Sequence, residues 1–304
     1  VDFALNAGAG YLSQGVPTLL GQIARTSDDR RRRNYVEQGA AFPSLQYAAQ
    51  RSKSKIPGAL QDQQPYVDAW GREEQTGNIG ERAFSNFLSP GYISKQQTSE
   101  MEEELKRLYK ATGDSGVLPS AASKSVTYDG VRYSLTAEEY TGYQRTMGKT
   151  AYTLLTDLTN SAPYQSMSDE QKAEVVSDAY SYACDLAKEV VLEERGIEYA
   201  PSSKRKNMDA AQKNGVPMSV YLQYITLSKD LKADKKGNGD AINGSLRRKK
   251  EALLTDMKVN SQQRRVLLAL DGYGSEPLRE QILNGEAALS NETAIDRLLK
   301  EAIQ

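Results

Sequence analysis

Ser125-Val126-Thr127-Tyr128-Asp129-Gly130-Val131-Arg132-Tyr133-Ser134-Leu135, running directly into Thr136-Ala137-Glu138-Glu139-Tyr140, is the stretch that decides the fold. Val126, Tyr128, Val131 and Tyr133 flank Asp129-Gly130, a pair suited to the two positive-φ positions of a type I′ turn, so residues 125–135 predict a β-hairpin. Thr136 stands three residues before Glu139, the spacing of a capping box, in which each side chain accepts from the other's backbone N–H. Beyond it Tyr140, Tyr143, Met147, Ala151, Leu154 and Leu158 recur at helical spacing. A short hairpin leading into a long amphipathic helix predicts a mainly α protein. No βαβ alternation follows, which argues against a nucleotide-binding parallel sheet.

Helical punctuation continues on both sides. Ser168 with Gln171 opens a helix carrying Val176, Ala179, Ala183, Leu186 and Val190 on one face, and Gly196 ends it. Shorter helices are predicted over 218–228, 246–257, 261–270 and 291–303. Before the hairpin, Ser99 with Glu102 starts a helix through Leu105, Leu108 and Tyr109 that stops near Gly113. Residues 42–93 read differently: Pro43, Pro57, Pro65 and Pro90, with Gly58, Gly71, Gly77, Gly80 and Gly91, punctuate an extended, irregular arm. Disordered linkers are poor in aromatics. This arm carries Trp70, Tyr47, Tyr66, Phe84, Phe87 and Tyr92, so it is expected to wrap over its own helical body or an adjacent subunit, with Tyr66, Trp70, Phe84 and Phe87 as interface candidates. The expected organisation is a glycine-rich N-terminal helix with a polybasic patch (1–41), the arm (42–98), a helical body with the hairpin (99–200) and a region of small helices (201–304).

Composition bounds the chemistry. The chain has 304 residues, with 39 basic and 40 acidic side chains and a net charge of −1. A balance so close argues against a dedicated nucleic-acid binder, whose affinity rests on neutralising phosphates. Apolar residues are 38%, below the usual ~45–50%, so the core is expected to be spread along helices. Histidine is absent, which removes Ser-His-Asp and Cys-His nucleophilic systems and His-ligated zinc. Cys184 is the only cysteine, so no intrachain disulfide forms, and its helical setting reads as a buried structural thiol. Eighteen tyrosines against four phenylalanines point to half-wet contact surfaces and a homo-oligomer. The sequence begins at Val1, with neither methionine nor a basic secretory segment, as expected of a processed product or a piece of something longer.

Three features carry potential binding chemistry. Residues 3–24 are apolar but broken by glycines, polar side chains and Pro17, a poor match to the ~20 apolar residues of a membrane span. They lead into Arg25 and then Arg30, Arg31, Arg32 and Arg33, which could meet a membrane or nucleic acid, or be solvated or paired at a subunit contact. Asp234-Lys235-Lys236-Gly237-Asn238-Gly239-Asp240 is a degenerate calcium loop. Asp234, Asn238 and Asp240 supply oxygens, but Lys236 stands at the third position and Ser245 where a bidentate Glu belongs. The bland alternative is a polar turn in which Ser245 caps the next helix. Further basic clusters at 204–206 and 247–250 read as solvated faces or subunit contacts. The acidic pairs Glu138-Glu139 and Glu193-Glu194 and the run from Glu102 to Glu104 suit helix first turns or exposed faces. A glycosidase pair drawn from distant parts of the chain stays open. No catalytic residues, cofactor or metal site are assigned.

Several stretches, in order, carry a resemblance. They are residues 16–25 (Val16-Pro17-Thr18 to Ala24-Arg25), Arg31-Arg32-Arg33-Asn34-Tyr35, Lys55-Ile56-Pro57-Gly58, Val67-Asp68-Ala69-Trp70-Gly71-Arg72, Leu135 to Tyr140, Tyr180 to Lys188, and Ala233 to Ser245. Together they resemble the C-terminal regions of very large virion proteins of phages of Gram-positive bacteria, the large polyvalent-protein-associated domains found beside tape-measure-like or ejected proteins. The chain departs from that pattern at Lys236, where an acidic residue is frequent. The resemblance implies a virion location (head interior, portal or tail), a giant precursor and no catalytic residues. The expected function is a non-catalytic structural or DNA-ejection protein, partnered by portal or tail proteins or copies of itself and, during ejection, by genomic DNA or host membrane. The C-terminal part of a tail tape-measure protein, a membrane- or DNA-contacting module, and an accessory domain of an enzyme lying upstream are the alternatives.

Overall fold

A computed structural model of the chain describes residues 31–53, 56, 59, 63–73 and 99–285 and, at Asp240, the backbone alone. Among the described residues there are ten α-helices: α1 Pro43–Lys53, α2 Glu100–Thr112, α3 Ala137–Thr159, α4 Ala162–Gln165, α5 Asp169–Glu194, α6 Ser203–Lys213, α7 Met218–Lys229, α8 Gly239–Asp256, α9 Ser261–Leu270 and α10 Glu276–Asn284. One antiparallel hairpin joins β1 Ser125–Tyr128 to β2 Val131–Ser134. The chain is mainly α with a single hairpin.

The hairpin–helix junction forms for the reasons its sequence states. Tyr128 faces Val131 across the turn, and Asp129 and Gly130 sit at φ 48° and 74°, the left-handed pair a type I′ turn requires. Thr136 N–H donates to Glu139 (2.7 Å) and Glu139 N–H donates to the Thr136 hydroxyl (3.3 Å), closing the capping box at the start of α3. Arg195 grips Glu139 with Nε and Nη2, both at 2.6 Å, and donates to Ser134 O at 2.6 Å. The Arg195 guanidinium, helped by the Thr136 hydrogen bonds, draws the Glu139 carboxyl down to about 2. Ser99 with Glu102 closes the same box on α2, which stops at Gly113 in the left-handed region (φ 71°).

Four local readings change. The arm is not extended from its start, because Pro43 opens α1, a position where its missing N–H goes unused. On α5 the buried seats fall to Ala179, Ala183, Ala187 and Val191, while Val190 is 37% exposed. A 26-residue helix of 3.6-residue period drifts away from strict three- and four-residue steps. The basic cluster at 204–206 lies in α6, whose N-cap Ser202 accepts from Arg205 N–H. Helix α8 starts at Gly239 under an Asn238 cap, so Ser245 is no cap; it is buried inside the helix.

The described residues form two compact units. The first takes those up to residue 73, with 119–150 and 186–198; the second takes 99–118, 151–185 and 199–285. In the second unit α7 packs on α6 and α8, and α9 packs on α6 and α10. Leu108, Leu155, Leu158, Val176, Ala183, Tyr224, Leu254 and Leu267 are fully buried there. Lys250, nearly buried, pairs with Asp271, which also accepts from the Tyr224 hydroxyl at 2.7 Å. Arg107 holds Glu104 and Asp169 together, and both carboxyls sit below their usual range for that reason. Cys184 is half-buried.

Candidate functional site

A cluster of charged and aromatic groups lies in the first unit, where two short extended stretches meet α3 and the hairpin. Residues 31–33 run antiparallel to 64–66: Arg32 bridges Pro65, Arg33 N–H donates to Gln64 O (3.0 Å) and Tyr66 N–H to Arg31 O (2.6 Å). Arginine suits such a place because its flat cation stacks on rings while its N–H groups reach carbonyls. The guanidinium of Arg33 lies 4.9 Å from the Tyr66 ring centre and 4.7 Å from that of Tyr140, and Arg31 stacks on Tyr66 at 4.3 Å. Arg33 also donates to Val67 O at 2.8 Å, and Arg32 to Gln63 O at 3.0 Å.

The following loop is a second clamp. Asp68 Oδ1 accepts from the N–H groups of Trp70 and Arg72, both at 2.9 Å, while Oδ2 takes the Arg72 guanidinium at 2.9 Å. An aspartate that caps its own loop this way sets a tight turn, which Gly71 completes at φ 73°. The turn rests on α3 at Gly148. A Cβ on Gly148 would lie 2.2 Å from Gly71 N and 2.4 Å from Trp70 C, and one on Gly71 would lie 2.4 Å from Arg145 O. The two backbones therefore touch because neither residue has a side chain. Gln144, 1% exposed, bridges the same place. Its Nε2 donates to Asp68 O (3.1 Å) and Ala69 O (3.4 Å), and its Oε1 accepts from Ala122 N–H (2.6 Å). Arg145 adds an ion pair to Glu73 at 2.7 Å.

Tyr35 closes the cluster. Its hydroxyl donates to Leu135 O (2.7 Å), its ring meets Tyr140 at 5.2 Å, and Lys124 lies over it at 4.7 Å. Burial, then the neighbouring Tyr140, pushes its hydroxyl up to about 12. Burial also raises Tyr164, Tyr180, Tyr221, Tyr224 and Tyr273. Among the described residues, seven tyrosines (Tyr35, Tyr140, Tyr143, Tyr164, Tyr182, Tyr221 and Tyr224) are buried, so these seven serve the interior. Tyr35, Tyr164, Tyr180, Tyr221, Tyr224 and Tyr273 hold their protons more tightly folded than unfolded. For Tyr35 the stability so contributed is complete below pH 10 and is lost as pH rises through about 12. Thermal melts from pH 9 to 12, followed with tyrosinate absorbance, are expected to show ionisation and unfolding together. Full ionisation near pH 10 in a still-folded chain would contradict that burial.

The other sequence candidates are placed as follows. Arg25, Arg30, Phe84 and Phe87 lie outside the described residues. Arg31, Arg32 and Arg33 are built into the first clamp; Tyr66 is half-buried beneath two of them, and Trp70 is buried within the first unit. Asp234 accepts from Ser245 and pairs with Lys249 (3.1 Å), which lowers its carboxyl, while Asn238 Oδ1 accepts from Ala241 N–H (3.1 Å). Asp240 contributes only its backbone to the description. No group of three His, Cys, Asp or Glu side chains that could hold a metal occurs among the described residues, and no described helix is long and apolar enough to cross a membrane. Sequence reading missed Asp68, Gly71, Gln144 and Gly148. The available signals were an Asp three residues before a Gly in the arm and a lone Gly inside a helical pattern. Protein-family models, curated proteins and solved structures yield no match to this chain, so the virion resemblance stands on the quoted residues alone.

Proposed function

We propose that this chain is a non-catalytic structural protein of a bacteriophage particle, an ejection protein held in the head interior or at the portal and tail. The ordered virion-like stretches carry the particle part of the reading, and the double clamp supports its non-catalytic, structural part. The polar side chains of this cluster, Arg32, Arg33, Asp68, Gln144 and Arg145, are committed to the chain's own carbonyls, N–H groups and carboxylates. Such a build fixes a shape, as a packing component needs. The ordered virion-like stretches supply the particle, with portal or tail proteins, or copies of this chain, as partners.

Peptide mass spectrometry on purified particles of the source tests this. Peptides of this chain are expected at a fixed copy number per particle, with a defined N-terminus. Their absence from particles would overturn the assignment.

A further inference from the structure

Charge is unevenly placed in the second unit. Residues 231–249 hold six basic side chains to two acidic ones, in a chain whose overall charge is −1. Contacts gather most of the cations into one patch. Asp234 N–H donates to the Ser245 hydroxyl (3.4 Å), while Lys249 Nζ donates to Lys232 O (2.7 Å) and pairs with Asp234 (3.1 Å). These bonds lay the loop 232–236 along α8, over Ser245. At 3.6 residues per turn, Arg248 and Lys249 stand about 60° and 40° to either side of Ser245. The Asp234 carboxylate accordingly feels the Ser245 hydroxyl, then Lys249, then Arg248. Lys232, Lys235, Lys236 and Arg248 are exposed, and their side chains have no hydrogen-bond or ion-pair partner among the described residues. Two neighbouring cations stand apart from the patch, Arg247 paired with Glu251 at 3.0 Å and the nearly buried Lys250 with Asp271.

We propose that this patch binds the phosphate backbone of a nucleic-acid duplex, with Lys232, Lys235, Lys236 and Arg248 each meeting a phosphate. Such contacts gain affinity by releasing counterions and carry no sequence information. The near-neutral charge of the whole chain does not oppose them, because at 0.1 M salt charges more than ~10 Å away are largely screened. An acidic protein fits less well. Protein interfaces have an apolar core, and no large apolar side chain is exposed among the described residues of 229–256. A lipid surface fits less well for the same reason, since firm docking joins cations to an inserted apolar face. A single strand would call for aromatic rings under its bases, and residues 229–256 contain no aromatic residue. The inference is independent of the particle assignment, since it is tested on the isolated chain and the assignment on particles.

The experiment is fluorescence anisotropy of two short labelled DNA duplexes of unrelated sequence, titrated with the full chain at several salt concentrations. Two variants accompany it: K235Q/K236Q in the patch, and K106Q/K110Q, which removes the same charge from exposed positions of α2. Unchanged circular dichroism certifies the fold of both. The native chain is expected to bind the two duplexes alike, with affinity falling about 150-fold between 50 and 200 mM salt, as four phosphate contacts require. K235Q/K236Q is expected to bind roughly 10-fold more weakly at 50 mM salt and to halve the salt slope, while K106Q/K110Q matches the native chain. No binding by the native chain at 50 mM salt overturns the proposal. Equal losses in the two variants overturn it by making net charge the cause, and native-like binding by K235Q/K236Q does so by placing the contact elsewhere in the chain. Flotation with phosphatidylglycerol vesicles that K235Q/K236Q abolishes, in a chain that binds neither duplex, would instead assign the patch to lipid phosphates.

Discussion

Gly148→Ala is expected to lower the stability of the first unit by about 3 kcal/mol, while Gly142→Ala, six residues earlier in the same helix, leaves it unchanged or raises it by up to ~1 kcal/mol. Intrinsic helix propensity favours alanine at both positions, so propensity alone makes both changes stabilising. Geometry separates them. Nothing lies within 4 Å of a Cβ at Gly142, whereas at Gly148 the new carbon would meet Gly71 N, Trp70 C and Ala69 O at 2.2–2.7 Å. All three are backbone atoms, so no rotamer change relieves the clash and the loop must lift off the helix. Lifting it breaks the Gln144 hydrogen bonds and withdraws Trp70 from its buried place. Chemical denaturation with Trp70 fluorescence reads the effect, since Trp70 is the only tryptophan. Equal stabilities for the two variants would refute the contact.

Gln144→Met should cost about 3–4 kcal/mol for a different reason. Methionine matches glutamine closely in shape and is itself apolar, so packing is nearly preserved. What is lost is the pairing of Ala122 N–H, Asp68 O and Ala69 O. A buried polar group left without its partner costs about 1–3 kcal/mol, and three sharing one site do not add in full. Because Gly148 and Gln144 hold the same turn, the double variant is expected to lose clearly less than the two single losses combined. Full additivity would mean that the two residues act on separate parts of the structure.

The capping boxes and the turn were legible because their physics is local. Ser99 with Glu102, Thr136 with Glu139, Ser168 with Gln171 and Asp129-Gly130 each satisfy backbone groups within a few residues, so spacing suffices to find them. Helix α1 was hidden because it buries only Ala48 and shows no apolar period. Helix α6 was hidden because Arg205, read as part of a surface cluster, is itself buried and paired with Asp209. The early start of α8 was masked by Gly239 and Gly244, residues that weaken a helix reading but are tolerated behind the Asn238 cap. The clamp was illegible for another reason. Gly71 meets Gly148 and Tyr35 meets Leu135 across long spans of chain, and no local pattern announces such a partner. The proposed virion role rests on the resemblance and not on this geometry.

The clamp also sets an order of events during synthesis. The residues of the arm leave the ribosome well before the helix that receives them. At ~5–20 residues per second, Gly71 precedes Gly148 by roughly 4–15 s, far longer than a helix or hairpin needs to form. Through that interval Tyr66 and Trp70 have been made and their seat on α3 has not. The first unit is completed only after Arg195 has followed and closed on Glu139. The nascent chain therefore carries Tyr66 and Trp70 without their seat through that interval, and it is the later-made helices, not the arm, that decide when this unit becomes native.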